Sequence, residues 1–169
     1  MKWQSKLVCV LLFGSIAIAS VKPPSTQKND NHGYWVDPAT GLMWAGKDNG
    51  RDISWRKATK YCRDLRLGGY ADWRLGTIEE LEGIYDETAN APGGGGKNGR
   101  LPATWHVKGS LFLTGRQWSS TQVFRKDGHS SGSVWFLDFS DKYKGKDDGT
   151  WFSGSIYFYR ALCVRSAGK

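Results

Sequence analysis

The histidines of this chain, the residue type most often used for acid–base catalysis at neutral pH, show no catalytic spacing. His32, His106 and His129 lie far apart, each in a segment predicted to be a loop. Nucleophilic catalysis requires a base beside a serine, threonine or cysteine, and metal binding requires ligands at short intervals. Because neither pattern occurs, the sequence favours a protein that is not an enzyme.

The densest group of carboxylates is the place where paired acids could hydrolyse a glycosidic bond. The group consists of Asp72, Glu79, Glu80 and Glu82. A structural interpretation is favoured for these residues. Glu79 and Glu80 suit the positive end of a helix, and Asp72 can bond a local turn or pair with Arg74.

Four aspartates near the end of the chain offer calcium the hard oxygen atoms that it prefers: Asp138, Asp141, Asp147 and Asp148. Their spacing does not match that of an EF-hand loop. Lys142, Lys144 and Lys146 lie between them and would repel a cation. We therefore expect no cofactor and no catalytic metal, while a structural ion stays open as an alternative.

A set of basic and aromatic residues is the remaining candidate for a binding site. Its members are Arg116, Arg125, Lys126, Lys142, Lys144, Lys146, Trp105 and Trp151. Arginine binds sulfate or carboxylate through two parallel donors, lysine adds a mobile charge, and tryptophan stacks on sugar rings. The set predicts a site for anionic polysaccharide. The alternative is that these lysines only keep the protein soluble and these tryptophans fill its core.

The N-terminal residues predict export to the periplasm or the cell exterior. Lys2 and Lys6 precede an apolar run over residues 7–18, and Ala17-Ile18-Ala19 is a small-x-small cleavage site. Residues 1–19 are therefore predicted to be a signal peptide, 20–33 a flexible lead-in, and 34–169 a single domain. No second long apolar segment follows, so we expect no transmembrane segment in the mature chain.

The charge of the chain favours anionic partners. The full sequence has 24 basic and 16 acidic residues and a formal net charge of +8. Removal of the signal peptide takes away two lysines and no acid, which leaves +6. Such an excess attracts polyanions at long range. Nucleic acid is disfavoured because the chain is exported and has no lysine–arginine run.

Two helices are predicted in the first half of the chain. Ser54 is a suitable N-cap for a helix that runs to residue 65, and Gly68 and Gly69 can supply the left-handed residue that closes it. Thr77 and Glu80 form a capping box at the start of a second helix, which runs from residue 78 to about 85. Four basic residues of the first helix are interpreted as a solvated surface: Arg56, Lys57, Lys60 and Arg63.

Strands are predicted on both sides of these helices. A hairpin around the turn 37–41 joins residues 34–36 to 42–44. The long region 86–114 has weak periodicity and four consecutive glycines. Later segments are predicted as strands at 117–121, 133–139 and 157–165, a turn at 124–132 and a loop at 141–149. This order indicates an α+β fold.

Three segments carry a resemblance to a known family: Asp72-Trp73-Arg74-Leu75, Trp118-Ser119-Ser120-Thr121 and residues 160–165. With the segment 37–44 and the first helix, they make the chain resemble the bacterial secreted domains typified by the C-terminal domain of a Legionella collagen-like adhesin. The resemblance runs from about residue 35 to 165. It implies a C-type-lectin-like fold, with two helices packed on small antiparallel sheets and a long irregular loop region.

The cysteines of the predicted mature chain are Cys62 and Cys163, and two cysteines in an exported protein favour a disulfide. The resemblance implies the same bridge, between the first helix and the last strand. A reactive thiol or a metal ligand is the alternative. Formylglycine-generating relatives of this fold use two active-site cysteines and copper. That activity is not expected here, because the disulfide would use both cysteines.

The family resemblance also bears on the ligand. The adhesin that typifies the family binds sulfated glycosaminoglycans, which implies an anionic polysaccharide as ligand, bound through the basic loops without calcium. The main alternative is a protein-binding module of an envelope or extracellular assembly. A third is a degenerate enzyme on the formylglycine-generating scaffold.

We expect Trp118 to be buried, with the following hydroxyls bonded to neighbouring backbone.

Overall fold

The computed structural model describes residues 33–94, 104–149 and 159–168, which form an α+β fold. The predicted signal peptide, nearly all of the predicted lead-in and Trp151 lie outside these ranges. The elements in the described ranges are β1 Tyr34–Val36, β2 Leu42–Ala45, α1 Trp55–Asp64, β3 Arg74–Leu75, α2 Ile78–Gly83, β4 Ala91–Pro92, β5 Thr104–Trp105, β6 Arg116–Phe124, β7 Ser130–Asp138, β8 Tyr143–Asp147, β9 Tyr159–Arg160 and β10 Cys163–Ser166.

The strands form two four-stranded sheets and a short two-stranded one. The first sheet has the order β1-β2-β10-β3 and is antiparallel, so the last strand lies between elements from the first half of the chain. The second has the order β8-β7-β6-β9, in which β9 runs parallel to β6. The predicted α+β class is confirmed, but the sheets are not purely antiparallel.

The first helix is held to the last strand by the predicted disulfide. Cys62 of α1 and Cys163 of β10 are joined, with their Cα atoms 5.3 Å apart. Ala58 and Cys62 are buried, while the basic residues of the helix face outward. A bridge over 101 residues of chain stabilises the fold by about 4–5 kcal/mol in the chain-entropy account.

The glycine pair after α1 has a different role from the predicted one. The helix ends at Asp64, because Leu65 already has extended backbone angles. Gly68 and Gly69 have φ of 62° and 82°, and they form the centre of a tight turn closed by mutual hydrogen bonds between Leu67 and Tyr70. Two successive positive φ angles are characteristic of a type I′ turn, which glycine adopts without strain.

The start of the second helix matches the prediction. The Thr77 side chain accepts a hydrogen bond from the Glu80 backbone N–H, and the Glu80 carboxylate accepts one from the Thr77 N–H. The Ile78 N–H donates to the Thr121 hydroxyl. Trp118 is fully buried, and its indole N–H donates to the Ile53 carbonyl. The predicted structural role of the segment Trp118-Ser119-Ser120-Thr121 is therefore confirmed.

The core has two clusters, which lie on opposite faces of the β8-β7-β6-β9 sheet. Residues alternate between the faces of a strand, and β7 follows this rule. Val134 and Phe136 join the cluster that contains the buried residues of α1, whereas Trp135 and Leu137 join the cluster that contains those of α2. The two helices therefore cover opposite faces of one sheet.

Candidate functional site

The segment that was predicted to be a loop over 141–149 contains a strand. β8 pairs antiparallel with β7, placing Gly145 opposite Phe136, Lys144 opposite Leu137 and Lys146 opposite Trp135. A Cβ atom at Gly145 would lie 2.5 Å from the Phe136 ring, so glycine permits the close approach of the two strands. The prediction of a loop was wrong because polarity alone does not exclude a solvated edge strand, which is often rich in lysine.

This strand and the turn before it place three exposed ammonium groups beside aromatic rings, and we call Lys142, Lys144 and Lys146 the lysine row. The Nζ atoms of Lys144 and Lys146 lie 5.4 and 4.5 Å from the centroid of the Trp135 ring. The Nζ atom of Lys142 lies 5.1 Å from the centroid of the Tyr85 ring. These are cation–π distances, which favour defined positions for otherwise mobile side chains.

The lysine row borders the C-terminal end of α2. The Nζ atom of Lys144 lies 2.8 Å from a carboxylate oxygen of Glu82. Lys108 brings a further cation to this end of the helix, where its ammonium group donates to the Gly83 carbonyl at 2.8 Å. Positive charge is favourable beside the partially negative carbonyls at a helix C-terminus. Four ammonium groups thus meet near this end of α2, together with the carboxylates of Glu82, Asp86 and Asp141.

Lys142 has a backbone conformation that is uncommon for its type. Its φ of 57° is the one positive value among the non-glycine residues that the structure describes. The left-handed region costs a residue with a Cβ atom about 1–2 kcal/mol. The turn that imposes it directs Lys142 toward Tyr85, on the same side of the sheet as the other two lysines.

Arg116 does not lie with the lysine row. Its guanidinium donates to Asp138 at 2.9 Å and lies over the rings of Phe136 and Tyr143. These contacts are on the face of the sheet that α1 covers, whereas the lysine row lies on the α2 face. The predicted grouping of Arg116 with these lysines is therefore corrected: its contacts give it a structural role.

Arg125 and Lys126 form the exposed tip of the hairpin between β6 and β7, where the Arg125 N–H donates to the His129 carbonyl. The predicted turn is tighter than expected because both strands extend toward it. The tip is separated from Trp135 by five residues of β7, about 17 Å at the rise of a strand. These two cations therefore lie apart from the lysine row.

Of the two tryptophans of the predicted site, the structure describes Trp105 and does not describe Trp151. Trp105 is fully buried in the cluster on the α2 face, among residues such as Leu111 and Phe139. A ring without exposed surface cannot stack on a sugar, so the predicted role of Trp105 is corrected to one in the core. Trp151 lies outside the described residues, and its role stays a prediction.

Two of the carboxylates considered for glycosidic hydrolysis, Glu80 and Asp72, make structural contacts. Glu80 forms the capping box and also binds the Arg74 guanidinium through two hydrogen bonds of 2.6 and 2.7 Å. These bonds to Arg74 hold the pKa of Glu80 below its usual value. Asp72 binds Arg165 instead of the predicted Arg74, and that contact lowers the Asp72 pKa.

The aspartates considered for calcium are also engaged. Asp138 accepts from Arg116 and Ser140, and Asp147 accepts from the Tyr159 hydroxyl at 2.8 Å. Asp141 accepts from a backbone N–H in the turn before β8. Across the described residues, no group of three or more histidine, cysteine or carboxylate side chains could hold a metal ion.

Sequence reasoning missed four residues of this region: Tyr85, Glu82, Lys108 and Trp135. Trp135 was placed on a predicted strand, but its contact with the lysines depends on the register between β7 and β8. That register follows from the fit of Gly145 against Phe136. The period of two in Lys142, Lys144 and Lys146 was the available signal, since alternate residues of a strand share a face.

Two of the large exposed apolar side chains in the described residues lie beside positive charge. The described residues with large exposed apolar side chains are Val36, Phe112, Phe124 and Tyr143. Phe124 precedes Arg125 in the exposed hairpin, and Tyr143 lies beside the Arg116 guanidinium. A protein-binding patch free of positive charge is therefore not formed around either of these two residues.

Comparisons with known proteins give one match. The family model described as Lcl C-terminal domain matches residues 33–165, which is most of the chain. Comparison with curated proteins and with solved structures gave no significant match. In the described part of the chain, the helices are too short or too polar to span a membrane. This chain belongs to the Lcl C-terminal domain family.

Proposed function

We propose that this chain is an exported, non-catalytic binding domain that holds anionic polysaccharide through the lysine row, without calcium. Membership in the Lcl C-terminal domain family implies an adhesin-like extracellular domain. The observation that carries the proposal is the placement of three ammonium groups, from β8 and the turn before it, in contact with the rings of Trp135 and Tyr85.

The mechanism is electrostatic capture by prepositioned charges. Lys144 and Lys146 are alternate residues of one strand, so their backbones lie about 7 Å apart along it. The aromatic rings limit the freedom of these side chains before a ligand arrives, which lowers the entropic cost of binding. Because lysine is a point charge, the row would attract sulfate and carboxylate groups with little geometric selectivity. Binding should weaken as salt rises.

Lysines on an edge strand also protect a sheet from pairing with other chains. That role requires charge but no particular side of the strand, whereas binding requires the ammonium groups to converge. The convergence of the row on two rings supports binding. The disulfide between Cys62 and Cys163 also uses both cysteines that the structure describes, which argues against copper chemistry of the formylglycine-generating kind.

The architecture proposed for this domain is C-type-lectin-like, with residues 1–19 as signal peptide, 20–33 as lead-in and 34–169 as one domain. Two features support it: the disulfide between the first helix and the last strand, and the position of β10 beside the N-terminal hairpin. Both bring the two ends of the domain together.

A glycan array that contains sulfated and uronic polysaccharides tests the proposed function. Residues 20–169 should bind these at low salt, lose binding at high salt, and be unaffected by a chelator. The variant with Lys142, Lys144 and Lys146 replaced by glutamine should bind at least about tenfold more weakly, while replacement of all three by arginine retains the charge and the binding. Undiminished binding by the glutamine variant would overturn the proposal, and absence of glycan binding would favour a protein partner.

A further inference from the structure

A second basic region lies along α1, on the face of the sheet opposite to the lysine row. A groove of about 650 Å³ runs beside the helix, and Arg51, Lys57, Lys60, Tyr61 and Arg66 contribute to its lining. We call this region the α1 groove. Its volume lies in the range of small-molecule sites, about 300–1,000 Å³. The sequence alone indicated a solvated helix surface here.

The acidic residues of the groove are already paired. Asp52 binds the guanidinium of the buried Arg160. Asp64 binds Lys60 of the same helix and lies 3.5 Å from the Arg63 guanidinium. These contacts neutralise both carboxylates without using Arg51, Lys57 or Arg66.

Three cations of the groove therefore have no acidic partner among the described residues: Arg51, Lys57 and Arg66. The Arg66 guanidinium is oriented through one of its nitrogens, which donates to the Leu65 carbonyl at 3.1 Å and more weakly to the Arg63 carbonyl. Its remaining donors can meet a sulfate or carboxylate as a planar fork. The groove thus combines a concave shape with a lining in which four cations face two carboxylates.

Tyr61 also contributes to the lining of the groove. Burial, and then the nearby Asp48 carboxylate, raise the pKa of Tyr61. A tyrosine hydroxyl is protonated at neutral pH with or without this shift, and it can donate a hydrogen bond to an anion. An aromatic ring beside cations is also a suitable surface for a sugar, because its apolar body and polar tip match those of a pyranose.

We propose that the α1 groove is a second anion-binding site, which takes a sulfated or carboxylated sugar residue independently of the lysine row. α1 and α2 cover opposite faces of one sheet, so the sites are separated by the sheet and two packing layers, on the order of 20 Å. One domain then holds two polyanion segments and can cross-link separate polysaccharide chains, raising avidity. The cross-linking, but not the groove itself, rests on the proposed function of the lysine row.

Titration calorimetry with a sulfated hexasaccharide at low salt tests the groove. Residues 20–169 should bind two hexasaccharides per domain. The variant Lys57→Gln/Arg66→Gln should bind one, whereas Lys47→Gln/Arg56→Gln removes the same charge from α1 and its neighbouring loop outside the groove and should still bind two. A melting temperature equal to that of the unaltered domain in both variants shows that the fold is retained. Two bound hexasaccharides in the groove variant would overturn the proposal.

The same titration separates the two sites. The lysine-row glutamine variant should retain one hexasaccharide, held in the groove, and should fail to cross-link long sulfated chains by light scattering. If this variant binds two, the proposed function fails while the groove is judged by its own variants. If it binds none while the groove variant retains one, the groove proposal is overturned and the lysine row stands. Absence of binding to the unaltered domain overturns both.

Discussion

The lysine row and the α1 groove present positive charge in different ways. In the row, the charges come from β8 and the turn directly before it, and the ammonium groups lie against aromatic rings. In the groove, the charges come from a loop, a helix and the segment after it, and they surround a concavity. The row therefore depends on the register of β8, while the groove depends on the position of α1.

The largest effect is expected from removal of the disulfide, because it fixes α1 to β10. Replacement of Cys62 and Cys163 by alanine should lower the free energy of unfolding by about 4 kcal/mol. Urea unfolding measures this loss. Where the variant stays folded, binding in the α1 groove should weaken more than binding at the lysine row. Equal loss at both sites would show that the row also depends on the position of the helix.

A side chain at Gly145 should disrupt the row and spare the groove. Gly145→Val places methyl groups where the Phe136 ring lies, and such overpacking costs about 1–3 kcal/mol. β8 should then lose its register against β7. Calorimetry should show one hexasaccharide bound instead of two, with the remaining one in the groove. Retention of both would mean that the lysines do not need the strand.

Lys142 allows stability and binding to be separated. Lys142→Gly removes the strain of a positive φ and should stabilise the domain by about 1 kcal/mol, while it deletes one charge of the row. Thermal unfolding should show a higher melting temperature and hexasaccharide titration a weaker affinity. Lys142→Gln keeps the strain and removes the charge, so it should weaken binding without the gain in stability.

The smallest effect is expected at Glu82, which shares the ammonium group of Lys144. Glu82→Gln removes a surface ion pair worth up to about 1 kcal/mol, and it raises the net charge beside the row. Affinity for the hexasaccharide at the row should rise by about two- to fivefold at low salt, with no change in the groove. A lower affinity would indicate that Glu82 orients Lys144 for binding.

Local signals in the sequence predicted many of the secondary-structure elements and some of the core. The capping box at Thr77, the N-terminal hairpin and the buried Trp118 follow from contacts within a few residues or from strong apolar preference. The pairing of Cys62 with Cys163 follows from their being the two cysteines of the predicted mature chain. The resemblance to the family, which the family match confirms, added the order of these elements.

The candidate sites were less predictable because they depend on contacts between distant segments. Trp105 was expected near a turn on the surface, yet packing of the central region against the sheet buries it. Arg116 is separated from the lysine row by the alternation of side chains across the sheet. Arg51 and Arg66 come together only because the chain before α1 and the chain after it line one groove. No local pattern encodes these arrangements.

The affinity of a sulfated hexasaccharide, compared between the unaltered domain and the lysine-row variants at low and high salt, tests the central claim most directly. The glutamine variant should lose binding at the lysine row, and the arginine variant should keep it. Salt should weaken binding at every site that a variant retains. Unchanged affinity and stoichiometry in the glutamine variant would contradict the account, because the lysines would then serve only the solubility of the edge strand.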